Sequence, residues 1–77
     1  MKEFCVQLTS INDVKQFVNA ACAQAADIDV VSGRYVIDAK SIMGLFSLDL
    51  TKPINVCVQG SDQDAEPFYT TVKDLVV

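Results

Sequence analysis

Segments in which every second residue is apolar alternate along the chain with segments in which apolar residues recur every three or four positions. This order of strand-like and helix-like segments is the sequence feature that most constrains the fold. Phe4, Val6 and Leu8 alternate with more polar neighbours, as in a half-buried strand. A stripe with helical spacing then covers residues 11–25, and it consists of Ile11, Val14, Phe17, Val18, Ala21, Cys22 and Ala25. Ser10 stands three residues before Asp13, which predicts an N-cap and an acid in the first helical turn.

The middle of the chain predicts a hairpin followed by a short helix. The β-branched runs 28–31 and 35–37 are separated by a segment containing Gly33, which can adopt the positive φ of a tight turn. Ser41 then opens a short apolar segment and is predicted to be the N-cap of a short helix. Pro53 ends this region, because a proline disfavours helical angles in the residue before it.

The last part of the chain predicts one more strand and one more helix. The strand rests on the alternation of Ile54, Val56 and Val58. The helix rests on a stripe made of Ala65, Phe68, Tyr69, Val72, Leu75 and Val76. Ser61 and Asp64 form a second potential capping pair. Pro67 is comfortable only in a first helical turn, so the helix is expected either to start near Asp64 or to kink.

The resulting order is strand, helix, strand, strand, short helix, strand, helix. Because each helix has one apolar face to bury, this order predicts an α+β fold in which the helices cover one face of a sheet. Half of the residues are hydrophobic (51%), which is enough for one core, and the length of 77 residues fits a single domain over residues 1–77.

Composition argues against several function classes. The net charge is −4 and the six basic residues are scattered, which disfavours nucleic-acid binding. The three cysteines lie far apart and histidine is absent, so we expect no metal, no cofactor and no catalytic triad, only buried or half-buried thiols in a reducing cytosol. No segment approaches the roughly 20 apolar residues that span a bilayer, and the start lacks a signal-peptide pattern. We therefore expect a cytoplasmic protein that neither enters a membrane nor acts as an enzyme.

Residues 33–48, Gly-Arg-Tyr-Val-Ile-Asp-Ala-Lys-Ser-Ile-Met-Gly-Leu-Phe-Ser-Leu, closely resemble the hairpin and regulatory-serine helix of HPr. HPr is the small phosphocarrier of the bacterial phosphoenolpyruvate–sugar phosphotransferase system, and the match is most specific to HPr of Gram-positive bacteria. Residues 16–18 also resemble the middle of the first HPr helix. The resemblance implies the HPr open-faced β-sandwich, with a four-stranded antiparallel sheet and three helices on one face (βαββαβα).

The sequence departs from the HPr pattern at the phosphorylation motif of that family, Gly-(Ile/Leu)-His-X-Arg-Pro. An alignment on residues 16–18 places Ser10 near the histidine, Asn12 at the arginine and Asp13 at the proline. These three residues are expected to form a degenerate phosphocarrier site. The acceptor imidazole is missing, and a carboxylate near the helix N-terminus would repel a phosphate. Ser10 is interpreted as a structural cap.

Ser41 matches the serine that a dedicated kinase/phosphatase modifies in Gram-positive HPr, which turns that protein into a co-repressor for a carbon-catabolite transcription factor. A related histidine-free paralogue keeps only this regulatory role. The resemblance therefore implies an HPr kinase/phosphatase or a transcription regulator as partner. A phosphate suits a helix N-terminus, and Lys40 offers a nearby cation. Serine is also a frequent N-cap without any phosphorylation, so Ser41 has two interpretations at this point.

The second candidate site is an apolar surface on the short helix. Six apolar residues fall within nine positions, which is too many for one core-facing stripe: Ile42, Met43, Leu45, Phe46, Leu48 and Leu50. If Leu45 and Leu48 point inward, then Ile42, Met43 and Phe46 lie at least partly outside and are candidates for binding a protein partner. The alternative is that Ile42 and Phe46 fold over the sheet edge as ordinary core.

Two functions are compatible with these features. The first is a regulatory or adaptor protein that acts through protein binding, with serine phosphorylation as its switch. The second is a functionally degenerate domain that keeps the fold for a structural or oligomeric role. A phosphocarrier function ranks last, because the histidine is absent.

Overall fold

The structure is a computed structural model that describes residues 2–60 and 62–77. The four strands are β1 (Lys2–Val6), β2 (Ile28–Ser32), β3 (Tyr35–Asp38) and β4 (Ile54–Val58). The helices are α1 (Ile11–Cys22), α2 (Ile42–Phe46) and α3 (Asp62–Val72), and a 3-10 turn over Lys73–Leu75 follows α3. The predicted order of elements is confirmed. Ser61, the predicted capping partner of Asp64, lies outside the described residues.

The four strands form one sheet in the order β1-β4-β2-β3, and every neighbouring pair is antiparallel. Val56 of β4 lies opposite Phe4 of β1 on one side and Val30 of β2 on the other. Ser32 pairs with Tyr35 across the β2–β3 turn, where Gly33 has a φ of +60°. This two-residue hairpin loop confirms the predicted turn, because a glycine in its first position supplies the positive φ.

The core lies between the helices and one face of this sheet. In β4, the buried side chains of Ile54, Val56 and Val58 alternate with those of Asn55 and Cys57, which are more exposed and lie on the open face. Helices α1 and α3 meet above the sheet through two buried phenylalanines, Phe17 and Phe68, whose ring centroids are 5.5 Å apart in an edge-to-face arrangement. The α+β open-faced sandwich with three helices on one face is therefore confirmed.

Helix α1 ends at Cys22, three residues before the predicted end at residue 25. Ile28 has to be extended to pair with Val58, so the chain must leave the helix before it reaches β2. The carbonyl of Gln24 accepts a hydrogen bond from Lys40 Nζ at 3.0 Å, and this contact satisfies a backbone group in the connection. Cys22 lies on the exposed side of the helix, so the prediction that all three thiols are buried or half-buried is wrong at this position.

Helix α3 begins at Asp62, two residues before the start expected near Asp64, and it continues through Pro67. Pro67 is exposed, so solvent can hydrogen-bond the carbonyl group that a proline leaves without its N–H donor. Thr71 Oγ1 donates to the carbonyl of Pro67 at 2.9 Å one turn later. Within the described residues, no helix has the length and apolar character needed to cross a membrane.

Candidate functional site

The N-terminus of α1 is capped by Ser10, as predicted. Ser10 has extended backbone angles, and its Oγ accepts a hydrogen bond from the amide of Asp13 at 3.1 Å. Its carbonyl accepts the amide of Val14 at 3.2 Å, which is the first hydrogen bond of the helix. Ser10 therefore has the bonding pattern of an N-cap.

Asp13 adds hydrogen bonds at this end of α1 that the sequence pattern does not predict. Its carboxylate accepts hydrogen bonds from the amide of Thr9 at 3.0 Å and from Thr9 Oγ1 at 2.8 Å. In an ordinary capping box the acid would reach back to the N-cap amide, whereas here it reaches the residue before the N-cap. The two bonds from Thr9, with smaller contributions from Ser10, lower the pKa of the Asp13 carboxyl below its usual value of 3.8.

The three residues at the predicted degenerate phosphocarrier site, Ser10, Asn12 and Asp13, do come together at one helix end. Ser10 Oγ serves as an acceptor for an amide, and the Asp13 carboxylate already takes the donors that Thr9 offers. Asn12 lies exposed in the first turn. The Asp13 carboxylate thus balances the positive end of the α1 helix dipole.

The N-terminus of α2 has the same kind of cap. Ser41 Oγ accepts a hydrogen bond from the amide of Gly44 at 3.2 Å, and Ser41 is exposed, so its hydroxyl can be reached from solvent. The preceding turn is held by Asp38, whose carbonyl accepts the Ser41 amide at 2.9 Å and whose Oδ1 accepts the Lys40 amide at 2.9 Å. The prediction that Ser41 caps a short helix is confirmed.

Lys40 does not have the role suggested for it beside Ser41. Its ammonium group donates to the carbonyl of Gln24, so the side chain extends toward the end of α1. The expectation of a cation next to the Ser41 hydroxyl is therefore wrong. Adjacent residues in an extended segment point in different directions, and sequence proximity alone does not bring their side chains together.

Gly44 is a residue of this site that the sequence reasoning did not single out. A Cβ atom at this position would lie 2.6 Å from Ile37 Cγ2 and 3.1 Å from Ser41 Oγ. The missing side chain therefore allows α2 to lie close to β3 and leaves room for the capping hydroxyl. A glycine inside a five-residue helix is the signal that could have indicated such a close approach.

The apolar side chains of α2 are divided between the core and the surface. Leu45 is completely buried, whereas Met43 is 77% exposed and Phe46 is 45% exposed. Ile42 is half-buried and packs against the core. The predicted exposure of Met43 and Phe46 is confirmed, and Ile42 lies between its two alternatives. Met43 and Phe46 are three residues apart and hence share one side of the helix.

Phe46 extends this surface toward α1. A cleft next to it is lined by Leu8, Thr9, Ser10, Ile11, Val14, Phe46 and Leu50. Ile11 is 62% exposed, so its assignment to the core-facing stripe of α1 is wrong. A side chain in the first helical residue points back beyond the helix start, where the sheet does not cover it. We call Ile11, Met43 and Phe46 the α1–α2 apolar surface.

The thiols do not form a site. Cys5 donates to Asn55 Oδ1 at 2.8 Å and Cys57 donates to Glu3 Oε1 at 3.2 Å, so the two half-buried cysteines bind different partners. Burial, with the nearby Glu3 carboxylate, raises the pKa of the Cys57 thiol, which reduces its thiolate fraction. Among the described residues, no group of three potential ligands of the types Cys, Asp and Glu could hold a metal ion.

The fold and its capped helix ends define a small α+β protein built like the HPr phosphocarriers. The crystal structure of HPr-C-His from Thermoanaerobacter tengcongensis matches with a TM-score of 0.76 and 22% identity over 96% of this chain and 93% of that one. Phosphocarrier protein HPr from Bacillus anthracis str. Ames matches with a TM-score of 0.73 and 25% identity, covering 96% and 95% of the two chains. The histidine-containing phosphocarrier protein of Mycoplasma matches with a TM-score of 0.73 and 17% identity, covering 97% and 98%.

The family model described as the phosphotransferase-system HPr component phosphorylation site matches residues 12–77. The chain therefore belongs to the HPr family. The matched range begins at Asn12, so Ser10 lies before it. No curated protein sequence matches the chain.

Proposed function

We propose that this HPr-family protein is a regulatory or adaptor protein that acts by binding other proteins and does not carry phosphate on histidine. The observation that carries this proposal is the state of the α1 N-terminus. A carboxylate, Asp13, is bonded there to Thr9, and exposed apolar side chains lie next to it. The end of α1 is thereby better suited to contact with a partner than to transfer of a phosphoryl group.

Phosphoryl transfer through histidine requires an imidazole nitrogen and a cradle for the phosphate charge. The 77 residues contain no histidine, and Asn12 stands where the resemblance places an arginine. The negative charge of Asp13 would repel an incoming phosphate at the same helix end. Both the nucleophile and the electrostatic support are thus absent from the sequence at this site.

The α1–α2 apolar surface is the proposed binding surface. Ile11, Met43 and Phe46 expose large apolar side chains, and Phe46 lines a cleft together with the α1 N-terminus. Burial of such side chains against a partner removes apolar area from water, and methionine and aromatic residues adapt well to protein interfaces. The resemblance suggests an HPr kinase/phosphatase or a transcription regulator as the partner.

Ser41 is the proposed switch within this function. Its hydroxyl is exposed at the start of α2, next in sequence to two residues of the apolar segment, Ile42 and Met43. A phosphate on Ser41 would add close to two negative charges near the surface that contacts the partner. It could also accept the Gly44 amide that the hydroxyl now accepts, so the cap would survive modification.

The test of the switch is incubation with Gram-positive HPr kinase and ATP, followed by location of any phosphate by mass spectrometry. We expect one phosphate on Ser41 and none on the Ser41→Ala variant. Ser10 is the matched internal control, because it is the exposed N-cap of α1. If the kinase ignores the protein at concentrations that fully modify authentic HPr, Ser41 has only a structural role.

The test of the surface is calorimetric titration with the kinase and with a carbon-catabolite transcription regulator. Met43→Asp and Phe46→Asp should weaken the binding of a true partner at least tenfold, because each places a charge in an apolar contact. Tyr35→Asp is the matched control, since Tyr35 is an exposed aromatic residue on β3. If all three variants bind with the affinity of the native protein, the proposed binding surface is wrong. The rival function, a degenerate domain with a structural or oligomeric role, would then remain.

A further inference from the structure

A second concave site lies where the β2–β3 turn faces the segment between α2 and β4. The groove has a volume of about 530 Å³. Val31 and Asn55, which are paired across β2 and β4, contribute to its lining. The turn contributes Arg34 and Tyr35, and the segment after α2 contributes Lys52.

The groove concentrates positive charge on a protein whose net charge is −4. Two of the six basic residues, Arg34 and Lys52, line it. Within the described part of the chain, the one ion pair joins Lys2 to Glu66, so neither of these two cations is neutralised by a direct partner. Arg34 and Lys52 thus remain available for an external anion.

The single acid that lines the groove, Asp49, is occupied by its own turn. Its Oδ1 accepts hydrogen bonds from the amide of Thr51 at 3.1 Å and from Thr51 Oγ1. These bonds, followed by the charge of Lys52, lower the pKa of the Asp49 carboxyl. The Asp49 carboxylate therefore reduces the positive potential of the groove, while its Oδ1 is occupied by the two hydrogen bonds from Thr51.

The other polar groups add donors to the groove. Asn55 Oδ1 accepts from Cys5 Sγ at 2.8 Å, which leaves the two N–H groups of the Asn55 amide for a ligand. Ser32 and Tyr35 add hydroxyl groups. A lining rich in donors and poor in free acceptors suits a ligand with many acceptor oxygens.

Apolar groups complete the site. Leu48 and Pro53 line the groove, and the ring of Tyr35 is 67% exposed and offers a flat face. A volume of this size holds a small organic molecule. We propose that this groove binds an organic phosphomonoester, with the phosphate at Arg34 and Lys52 and the organic part against Tyr35. This inference is independent of the proposed regulatory function.

The test is a titration of the isotope-labelled protein with phenyl phosphate, followed by amide chemical shifts. We expect saturable shifts confined to the amides of residues 31–35 and 47–55. Inorganic phosphate should bind more weakly, because it lacks the organic group that would contact Tyr35. Phenol should give no saturable shifts, because it lacks the phosphate that would bind Arg34 and Lys52. Raising the salt from about 0.01 M to about 1 M should abolish binding, since the screening length falls from about 30 Å to about 3 Å.

Variants assign the binding to the two cations. Arg34→Gln and Lys52→Gln should each lower the affinity for phenyl phosphate about three- to tenfold. This is the range expected for the loss of one partly exposed, charge-assisted hydrogen bond. Lys15→Gln is the matched control, because Lys15 is exposed on α1, does not line the groove and causes the same change of charge. Unchanged affinity in the two groove variants would overturn the proposal. Shifts centred on the N-termini of α1 or α2, or equal binding of phenol, would also overturn it.

Discussion

At the scale of single residues, Ser10 and Ser41 are the N-caps of α1 and α2. Ser10 and Ser41 each accept the amide of the residue three positions ahead, at 3.1 Å and 3.2 Å. Their surroundings differ, because Asp13 adds a carboxylate to the first cap whereas α2 has no acid in its first turn. The second cap therefore depends more strongly on its serine.

Ser41→Ala should lower the free energy of unfolding by about 1 kcal/mol, because the Gly44 amide loses its acceptor. Ser41→Asp should be nearly neutral, since aspartate also caps helices and its charge suits the N-terminus. Urea denaturation followed by circular dichroism measures both changes. A cost of Ser41→Asp as large as that of Ser41→Ala would show that the hydroxyl has a role beyond capping.

The Asp13 carboxyl predicts a pH dependence of stability. Its pKa is lower in the folded protein than the usual 3.8, so the folded state favours the charged form. The stabilisation is therefore fully present above about pH 4 and is lost as the pH falls through the lowered pKa. The stability difference between the native protein and Asp13→Asn should shrink between about pH 6 and about pH 2.

Thermal denaturation across this pH range measures the difference. Asp74→Asn is the control, because Asp74 is exposed and its side chain accepts no hydrogen bond from the described residues. An Asp13→Asn difference that stays constant down to the lowest pH would contradict the bonding of this carboxylate to Thr9.

At the scale of elements, α2 is a helix of only five residues, and four of them are large and apolar. Its five residues bury Leu45 completely and leave Met43 mostly exposed. Gly44 permits the close approach to β3, because an added Cβ atom would meet Ile37. One turn of helix thus packs against the sheet on one side and presents apolar side chains to solvent on the other.

Met43→Asp should change the free energy of unfolding by no more than about 0.5 kcal/mol, as expected for an exposed position. Leu45→Ala should cost about 2–5 kcal/mol, because it leaves a cavity in the core. Chemical denaturation of the two variants side by side provides the comparison. A loss of about 2 kcal/mol or more for Met43→Asp would instead place Met43 in the core.

At the scale of the whole molecule, the end of the chain is tied to its beginning. The amide of Gln7 donates to the carbonyl of Leu75 at 2.9 Å, and the amide of Val77 donates to the carbonyl of Cys5 at 3.1 Å. These contacts hold the segment after α3 against the end of β1, just before the α1 cap. The complete fold, and not the caps alone, therefore positions the candidate site.

The assembled molecule should remain unmodified when it is incubated with phosphoenolpyruvate and the first enzyme of the phosphotransferase system. The reason is that no histidine is present and that Asp13 supplies negative charge at the α1 N-terminus. Intact-mass spectrometry under neutral conditions detects the modification, with authentic HPr as the positive control. Incorporation of one acid-labile phosphate per chain would contradict this expectation.

The sequence alone determined the order of the elements and both serine caps. These features depend on contacts within about four residues, so the spacing of residue types is sufficient to define them. Ser10 and Ser41 were found in this way, and the exposure of Met43 followed because a short helix has too little core-facing area for six apolar residues. The antiparallel sheet followed from the family resemblance.

Only the tertiary structure decided which residues lie together at the surface. Ile11 was expected in the core and forms part of the α1–α2 apolar surface, and Lys40 was expected beside Ser41 but reaches Gln24. The groove between the β2–β3 turn and the segment after α2 brings together Arg34 and Lys52, which are far apart in sequence. Such contacts depend on the strand order β1-β4-β2-β3 and on where each helix ends, and both are set by packing between distant segments, which the local spacing of residues does not encode.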